Sequence, residues 1–167
     1  YLASSLYLLS PNILAHSVLI TTDVYAAGSC LIALYFFWRL LNSPSSGNAL
    51  LAGGSLGLAQ LAKFTNAALV PIFVVIALLR FLFRRGGNRV GSLPEVALWT
   101  SLFAVGALLV INAGCLMEGV FIPFGEYNFR SELFQSLQAA PVFAGLPVPV
   151  AASWLQGLDW VLCDSFQ

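Results

Sequence analysis

Charge is too scarce in this chain for it to coat a surface that faces water. Only 8% of its 167 residues are charged, against about a quarter in an ordinary soluble domain. Hydrophobic residues make up 59% and mean hydropathy is +0.89, so the solvent around much of the chain has to be lipid. Formal net charge is zero and no basic patch suited to neutralising phosphodiesters is present, which argues against a nucleic-acid partner. Cys30, Cys115 and Cys163 are too far apart for a CxxC-type site, which sets metal and redox roles for them aside.

A helix that crosses about 30 Å of hydrocarbon needs around 20 apolar residues. Val24 to Leu41 is such a run, and it closes on Tyr35-Phe36-Phe37-Trp38 followed by Arg39, the aromatic-then-basic pattern of a membrane–water boundary. The polar stretch Asn42 to Asn48 reads as a turn. Ala49 to Phe83 would make one helix of roughly 50 Å, too long for a single crossing. Two short spans, 49–62 and 66–83, broken at Lys63-Phe64-Thr65-Asn66, fit better. Gly53, Gly54 and Gly57 suit close helix packing, and Pro71 falls in early turns, where proline costs least. Glu95 to Ala113 makes a further span. Tyr1 to Leu9 reads as the end of a truncated span, and a start at Tyr1 with a stop at Gln167 reads as a fragment of a longer protein.

After Gly114 the character changes. The stretch 114–167 holds five of the seven acids, and its apolar runs are short and broken by prolines, so it reads as an ordered loop lying on the membrane surface. The expected fold is therefore all-α: a polytopic transmembrane helical bundle over 1–113, with spans at 24–41, 49–62, 66–83 and 95–113, and an exoplasmic surface loop. With two spans between them, Arg39 and the basic cluster Arg80 to Arg89 share one side, which the positive-inside rule makes cytoplasmic. Asp23, Lys63 and the stretch after Gly114 then share the exoplasmic side.

Polar chemistry concentrates in Ser10 to Asp23. Ser10-Pro11 reads as a cap with proline at the first helical position, and in the helix that follows Asn12, His16 and Asp23 stand four and seven residues apart, on one face. Polar groups at membrane depth are costly and mark functional sites. Equally, Thr21-Thr22-Asp23 is an ordinary helix N-cap and His16 an interfacial side chain. Lys63 interrupts two apolar runs on the same side as Asp23; it is either a point charge for a phosphate or a snorkelling lysine at a helix end. In the surface loop, Glu118, Glu126, Tyr127, Arg130 and Glu132 have the chemistry to meet a substrate, and also the composition of a solvated loop.

Ser10-Pro11-Asn12-Ile13-Leu14-Ala15-His16-Ser17-Val18-Leu19-Ile20-Thr21-Thr22-Asp23 resembles a signature of the dolichyl-phosphate-mannose protein mannosyltransferase superfamily, membrane glycosyltransferases of the GT-C fold. Leu51 to Thr65 and the stretch from Pro147-Val148-Pro149 through Trp154 to Asp159 resemble two further segments of that family, in the same order. The resemblance implies transfer of a sugar from a polyprenyl-phosphate carrier to an acceptor hydroxyl on a protein, lipid or glycan, with inversion at the anomeric carbon, on the exoplasmic side of the bilayer. It implies a general base in a first exoplasmic loop that would precede Tyr1. It matches Asp23 to the family's second acidic position, His16 to the neighbouring histidine, and Lys63 to the lysine that faces the lipid phosphate. On this reading Asp23 and His16 are catalytic, and Asn12, Lys63, Tyr127 and Arg130 bind substrate. No cofactor is required; a divalent metal at Asp23 is left open. The location is multi-pass integral membrane, a prokaryotic plasma membrane rather than the endoplasmic reticulum. The competing reading is a transporter or flippase fragment with an Asp23–His16 relay, and a third is a structural subunit of a membrane complex.

Overall fold

The structure, a computed structural model, describes residues 10–11, 22–82 and 93–165. Asn12 and His16 lie outside the described residues, as do most of the basic loop and the truncated span at 1–9. The regular elements among the described residues are all helical. Helix α1 runs Thr22–Asn42, α2 Ser46–Ala62, α3 Leu69–Leu82 and α4 Leu93–Gly114; the shorter α5 (Glu132–Ala139), α6 (Pro141–Ala144) and α7 (Ala152–Ser165) follow. Two helices, over Asp23–Asn42 and Pro94–Gly114, are long and apolar enough to cross a membrane.

The helix limits follow local chemistry. Asp23 stands in the first turn of α1 and Arg39 in its last, each matched to the helix dipole. The hydroxyl of Ser45 accepts from the Asn48 amide at 3.2 Å and caps α2. At the other end of α2 the chain leaves the helix at Lys63, whose backbone is extended. A 3-10 turn over Phe64–Ala68 leads into α3, and the Asn66 side chain donates to the Ala59 carbonyl at 2.8 Å, as a second donor beside the Lys63 amide at 3.2 Å. Pro71 falls at the third position of α3, where an amide has no intrahelical acceptor to lose.

Helix α2 is the centre of the bundle. Small residues let it touch the backbone of α4: a Cβ on Gly53 would collide with the Phe103 carbonyl, one on Gly57 would come within 2.7 Å of the Ala107 carbonyl, and one on Gly106 within 2.7 Å of the Leu50 carbonyl. Its other flank meets α1 and α3 in a core of Ala33, Phe37, Leu56, Ala59, Leu69 and Phe73. The rings of Phe37 and Phe73 stack with centroids 4.0 Å apart, and Phe103 of α4 closes the group edge-on to Phe37. Arg80 near the end of α3 donates to Asn42 at the end of α1 at 3.1 Å, so α3 runs parallel to α1. Large apolar side chains remain exposed on the outside, among them Leu31 and Trp38 on α1, Val74 and Leu78 on α3, and Leu98 and Leu109 on α4.

The stretch expected as a surface loop is more than a loop. It holds three helices and a core of its own, in which Tyr127, Phe129 and Leu155 pack with Phe124, Phe134, Val148 and Trp154. Short helices form there because local caps replace length: Ser131 caps α5 and Pro141 opens α6. An antiparallel pairing of Phe121–Phe124 with Leu146–Val148 gathers the middle of the segment. Asn112 in the last turns of α4 fixes the segment to the bundle: its amide donates to the Pro149 carbonyl at 3.0 Å and its oxygen accepts from the Ala151 amide at 2.8 Å.

The glycine contact yields a direct test. Gly53→Ala introduces about 1–3 kcal/mol of overpacking against α4 and is expected to lower the melting temperature in detergent by several degrees. At Gly28 of α1 an added Cβ meets nothing within 4 Å, so Gly28→Ala is expected to leave it unchanged or raise it. Thermal melts followed by circular dichroism read both.

Candidate functional site

One end of the bundle collects the residues with chemistry. Asp23 opens α1 there, Lys63 follows α2 there, and α4 delivers the segment after Gly114 there. The Lys63 ammonium donates to the Asp23 carboxylate at 2.6 Å, joining residues 40 apart in sequence. The extended backbone of Lys63 makes this reach available, because the side chain is released from the helical direction of α2. Both partners stay open to the surroundings: the side chains of Lys63 and Asp23 are 40% and 61% exposed. A pair that open contributes about 0–1 kcal/mol to stability, so a charged ligand can compete for either member at little cost to the fold. One turn before Lys63, Gln60 is buried, and its side-chain oxygen has no partner among the described residues.

Beside the pair, the Phe64 ring packs against Gly157 of α7 and brings that helix to the same end. Two residues on, α7 carries Asp159, which is 1% exposed. Its carboxylate accepts from the Arg130 amide at 2.7 Å and from the Ser131 amide and hydroxyl at 3.0 and 2.5 Å. Burial acts to raise the Asp159 pKa, but the Ser131 hydroxyl, the two amides and the Arg130 charge outweigh it, and the net shift is downward. Asp159 thereby fixes the segment 130–131 onto α7 and holds Ser131 where it caps α5.

This clamp places Arg130 against the next residue of α7. Its guanidinium lies 4.1 Å from the centre of the Trp160 ring, a cation–π contact. Among the described residues Arg130 forms no ion pair. Asn128, Phe129, Arg130, Gln156 and Trp160 line a cavity of about 330 Å³ that opens to the outside. Two amide side chains, an indole and a fork of guanidinium donors form a lining suited to a hydroxyl-rich or anionic ligand.

Of the residues singled out in the sequence, Asp23 and Lys63 are brought into direct contact, and Arg130 lines the cavity at Trp160. Tyr127 does not line it. Its ring stacks on Phe129 with centroids 5.4 Å apart, its hydroxyl is buried without a partner among the described residues, and burial raises its pKa. Asn12 and His16 lie outside the described residues, so their place beside Asp23 is not defined. Among the described residues no group of three His, Cys, Asp or Glu side chains converges as metal ligands would. The sequence assigns no role to Asp159, Trp160 or Asn112; Asp159 enters there only as the last residue of the stretch from Pro147, and an acid within a largely apolar run is the physical signal for it. No protein-family model, curated protein or solved structure matches this chain.

Two outcomes follow. Lys63→Ala is expected to change unfolding free energy by less than about 1 kcal/mol, read by thermal or denaturant melts. Asp159→Asn is expected to destabilise by about 1.5–3 kcal/mol at neutral pH, because it replaces a charged acceptor by an amide that must face an N–H donor. Since the folded-state pKa of Asp159 is lowered, its contribution is complete above the ordinary carboxylate range and is lost as pH falls through the folded value. The gap in melting temperature between wild type and Asp159→Asn should therefore narrow as pH is taken below about 4.

Proposed function

We propose that this chain is part of a multi-spanning membrane glycosyltransferase that moves a sugar from a polyprenyl-phosphate carrier to an acceptor hydroxyl on the exoplasmic side, with inversion at the anomeric carbon. The observation that carries the reading is the exposed Lys63–Asp23 pair, at the end of the bundle from which α4 delivers the segment whose cavity Arg130 and Trp160 line. The likeness of Ser10–Asp23 and of the Lys63 segment to the protein mannosyltransferase superfamily points the same way.

The exposed apolar side chains of α1, α3 and α4 support a lipid surround. At 1.5 Å per residue α1 and α4 are about 31–33 Å long and α2 about 26 Å; α3 alone is about 21 Å and gains roughly 10 Å from the 3-10 turn before it. Four elements of about bilayer thickness stand side by side. Arg39 and Arg80 lie at one end, and Asp23, Lys63 and the segment after Gly114 at the other, which the positive-inside rule makes cytoplasmic and exoplasmic respectively.

In the reaction the acceptor oxygen attacks the anomeric carbon on the face opposite the carrier phosphate. The carbon–oxygen bond to phosphate breaks and the polyprenyl phosphate leaves with the electron pair. Lys63 meets the charge that grows on the leaving phosphate, and this is where fixed cations lower barriers most. Asp23 holds Lys63 in place for that phosphate, and the resemblance gives the proton of the attacking hydroxyl to a general base in a first exoplasmic loop, with Asp23 and His16 lining the same cavity. Arg130 and Trp160 hold the sugar or the acceptor in the cavity they line. The partners are the lipid-linked sugar, the acceptor and the bilayer, and the steps above call on no cofactor.

Asp23→Ala and Lys63→Ala, made in the full-length protein in its membrane, are each expected to reduce sugar transfer by at least 100-fold with expression and melting temperature retained, and Arg130→Ala by about 10-fold or more. Transfer is followed as labelled sugar appearing on the acceptor. Wild-type turnover by both Asp23→Ala and Lys63→Ala would refute the reading, and vesicle-to-vesicle flux of intact lipid-linked sugar without covalent product would replace it with a flippase.

A further inference from the structure

Where α4 ends, the chain makes an unusual turn. Leu116, Met117 and Phe121 all have positive φ, at 53°, 58° and 68°, in the left-handed region that side-chain-bearing residues rarely occupy. Only one of the four left-handed residues in this turn is a glycine, Gly119. A local sequence chosen for ease of folding would carry glycine or asparagine at these positions. The chain carries large apolar side chains there instead, and they are turned outward: Leu116 is 89% exposed, Phe121 65% and Met117 55%.

The turn is firmly held. The Met117 amide donates to the Asn112 carbonyl at 2.7 Å, the Ala152 amide to the Glu118 carbonyl at 2.9 Å, and the Phe121 amide to the Val148 carbonyl at 2.8 Å. These bonds fix the strained backbone from both flanks, from α4 and from the start of α7, so the exposure is built into the fold. Strained backbone held in this way marks functional positions. The surface is also continuous with α4. Leu98, Val105 and Leu109 are exposed along that helix at spacings of seven and four and Ala113 continues the stripe, and exposed Leu116 follows two residues after the helix ends at Gly114.

We infer that the 115–122 turn is a lipid-facing wedge, inserted at the boundary between headgroups and acyl chains of the leaflet on the Lys63–Asp23 side. Its occupant is the bilayer itself, because the apolar stripe lies on α4, which is long and apolar enough to cross a membrane. Glu118, exposed between Met117 and Phe121, limits insertion to headgroup depth. The wedge anchors the segment carrying Arg130 and Trp160 at the height of the carrier's phosphate. It rests on the multi-spanning reading above.

The test is a nitroxide depth scan of the full chain in phosphatidylcholine bilayers, in a background with Cys30, Cys115 and Cys163 replaced by serine. Labels are placed at Leu109, Leu116, Phe121 and Gln135. Labels at Leu116 and Phe121 are expected to collide more with oxygen than with a water-soluble nickel chelate, as at Leu109, while Gln135 shows the opposite. Lipid-like behaviour at Leu109 with water-like behaviour at Leu116 and Phe121 overturns the wedge and leaves the spanning reading standing. Water-like behaviour at Leu109 overturns both. Photolabelling of the unmodified protein by lipids with a diazirine in the upper acyl chain needs no substitution; adducts on 115–122 are expected, and adducts on α4 without any on 115–122 overturn the wedge.

Discussion

The near-contact of α2 and α4 is the constraint from which the rest of the arrangement follows. It exists because Gly53, Gly57 and Gly106 let one helix backbone rest on the other. In an apolar surround, burying hydrophobic side chains gives little reason for helices to associate, so close packing of small residues has to supply it. With α2 held centrally, its two flanks receive α4 on one side and α1 with α3 on the other, and the Phe37–Phe73 stack closes the second contact. The two helix ends that matter, Ala62 of α2 and Gly114 of α4, then emerge side by side.

What emerges from those ends is polar and pinned. Lys63 turns out of α2 to meet Asp23, and Asn112 at the end of α4 holds the backbone of residues 149 and 151. The segment after Gly114 is thus carried on the bundle as an ordered cap with its own aromatic core. Within that cap one buried carboxylate, Asp159, does for the backbone at 130–131 what a helix N-cap does for a helix start: it satisfies neighbouring amides with a single charged acceptor. The result places a guanidinium over an indole beside an open cavity, in the segment that α4 delivers to the Lys63–Asp23 end of the bundle. Glycine packing, helix ends and cap together explain why charged groups scarce in the sequence gather at one place.

The sequence carried the helical skeleton because apolar periods and interruptions are local signals. The expected limits at 24–41, 49–62 and 95–113 differ by at most three residues from Thr22–Asn42, Ser46–Ala62 and Leu93–Gly114. The break at Lys63 was legible because a cation and an asparagine interrupt a long apolar run there. The 3-10 turn after it was not, since nothing in Phe64–Ala68 distinguishes it from an early helical turn. The approach of Lys63 to Asp23 was foreshadowed only by counting spans and sides. The Asp159 clamp and the Asn112 brace were illegible because they join residues 28 to 39 apart through two or three side-chain hydrogen bonds each, which leave no periodic trace, and the cavity at Arg130 depends on that clamp. Tyr127 reads as a polar loop residue in the sequence, yet its ring has more apolar area to bury than its one hydroxyl can oppose, and the core takes it.

The measurement that bears most directly on the central claim is sugar transfer by a charge-swapped protein carrying Asp23→Lys and Lys63→Asp together. The swap keeps opposite charges in contact but exchanges the cation that would meet the leaving phosphate for a carboxylate. The account predicts a folded protein, its melting temperature lowered by no more than a few degrees by the cation now at the start of α1, and no transfer. Transfer restored to near the wild-type rate would make the pair a structural tie and contradict the proposed chemistry.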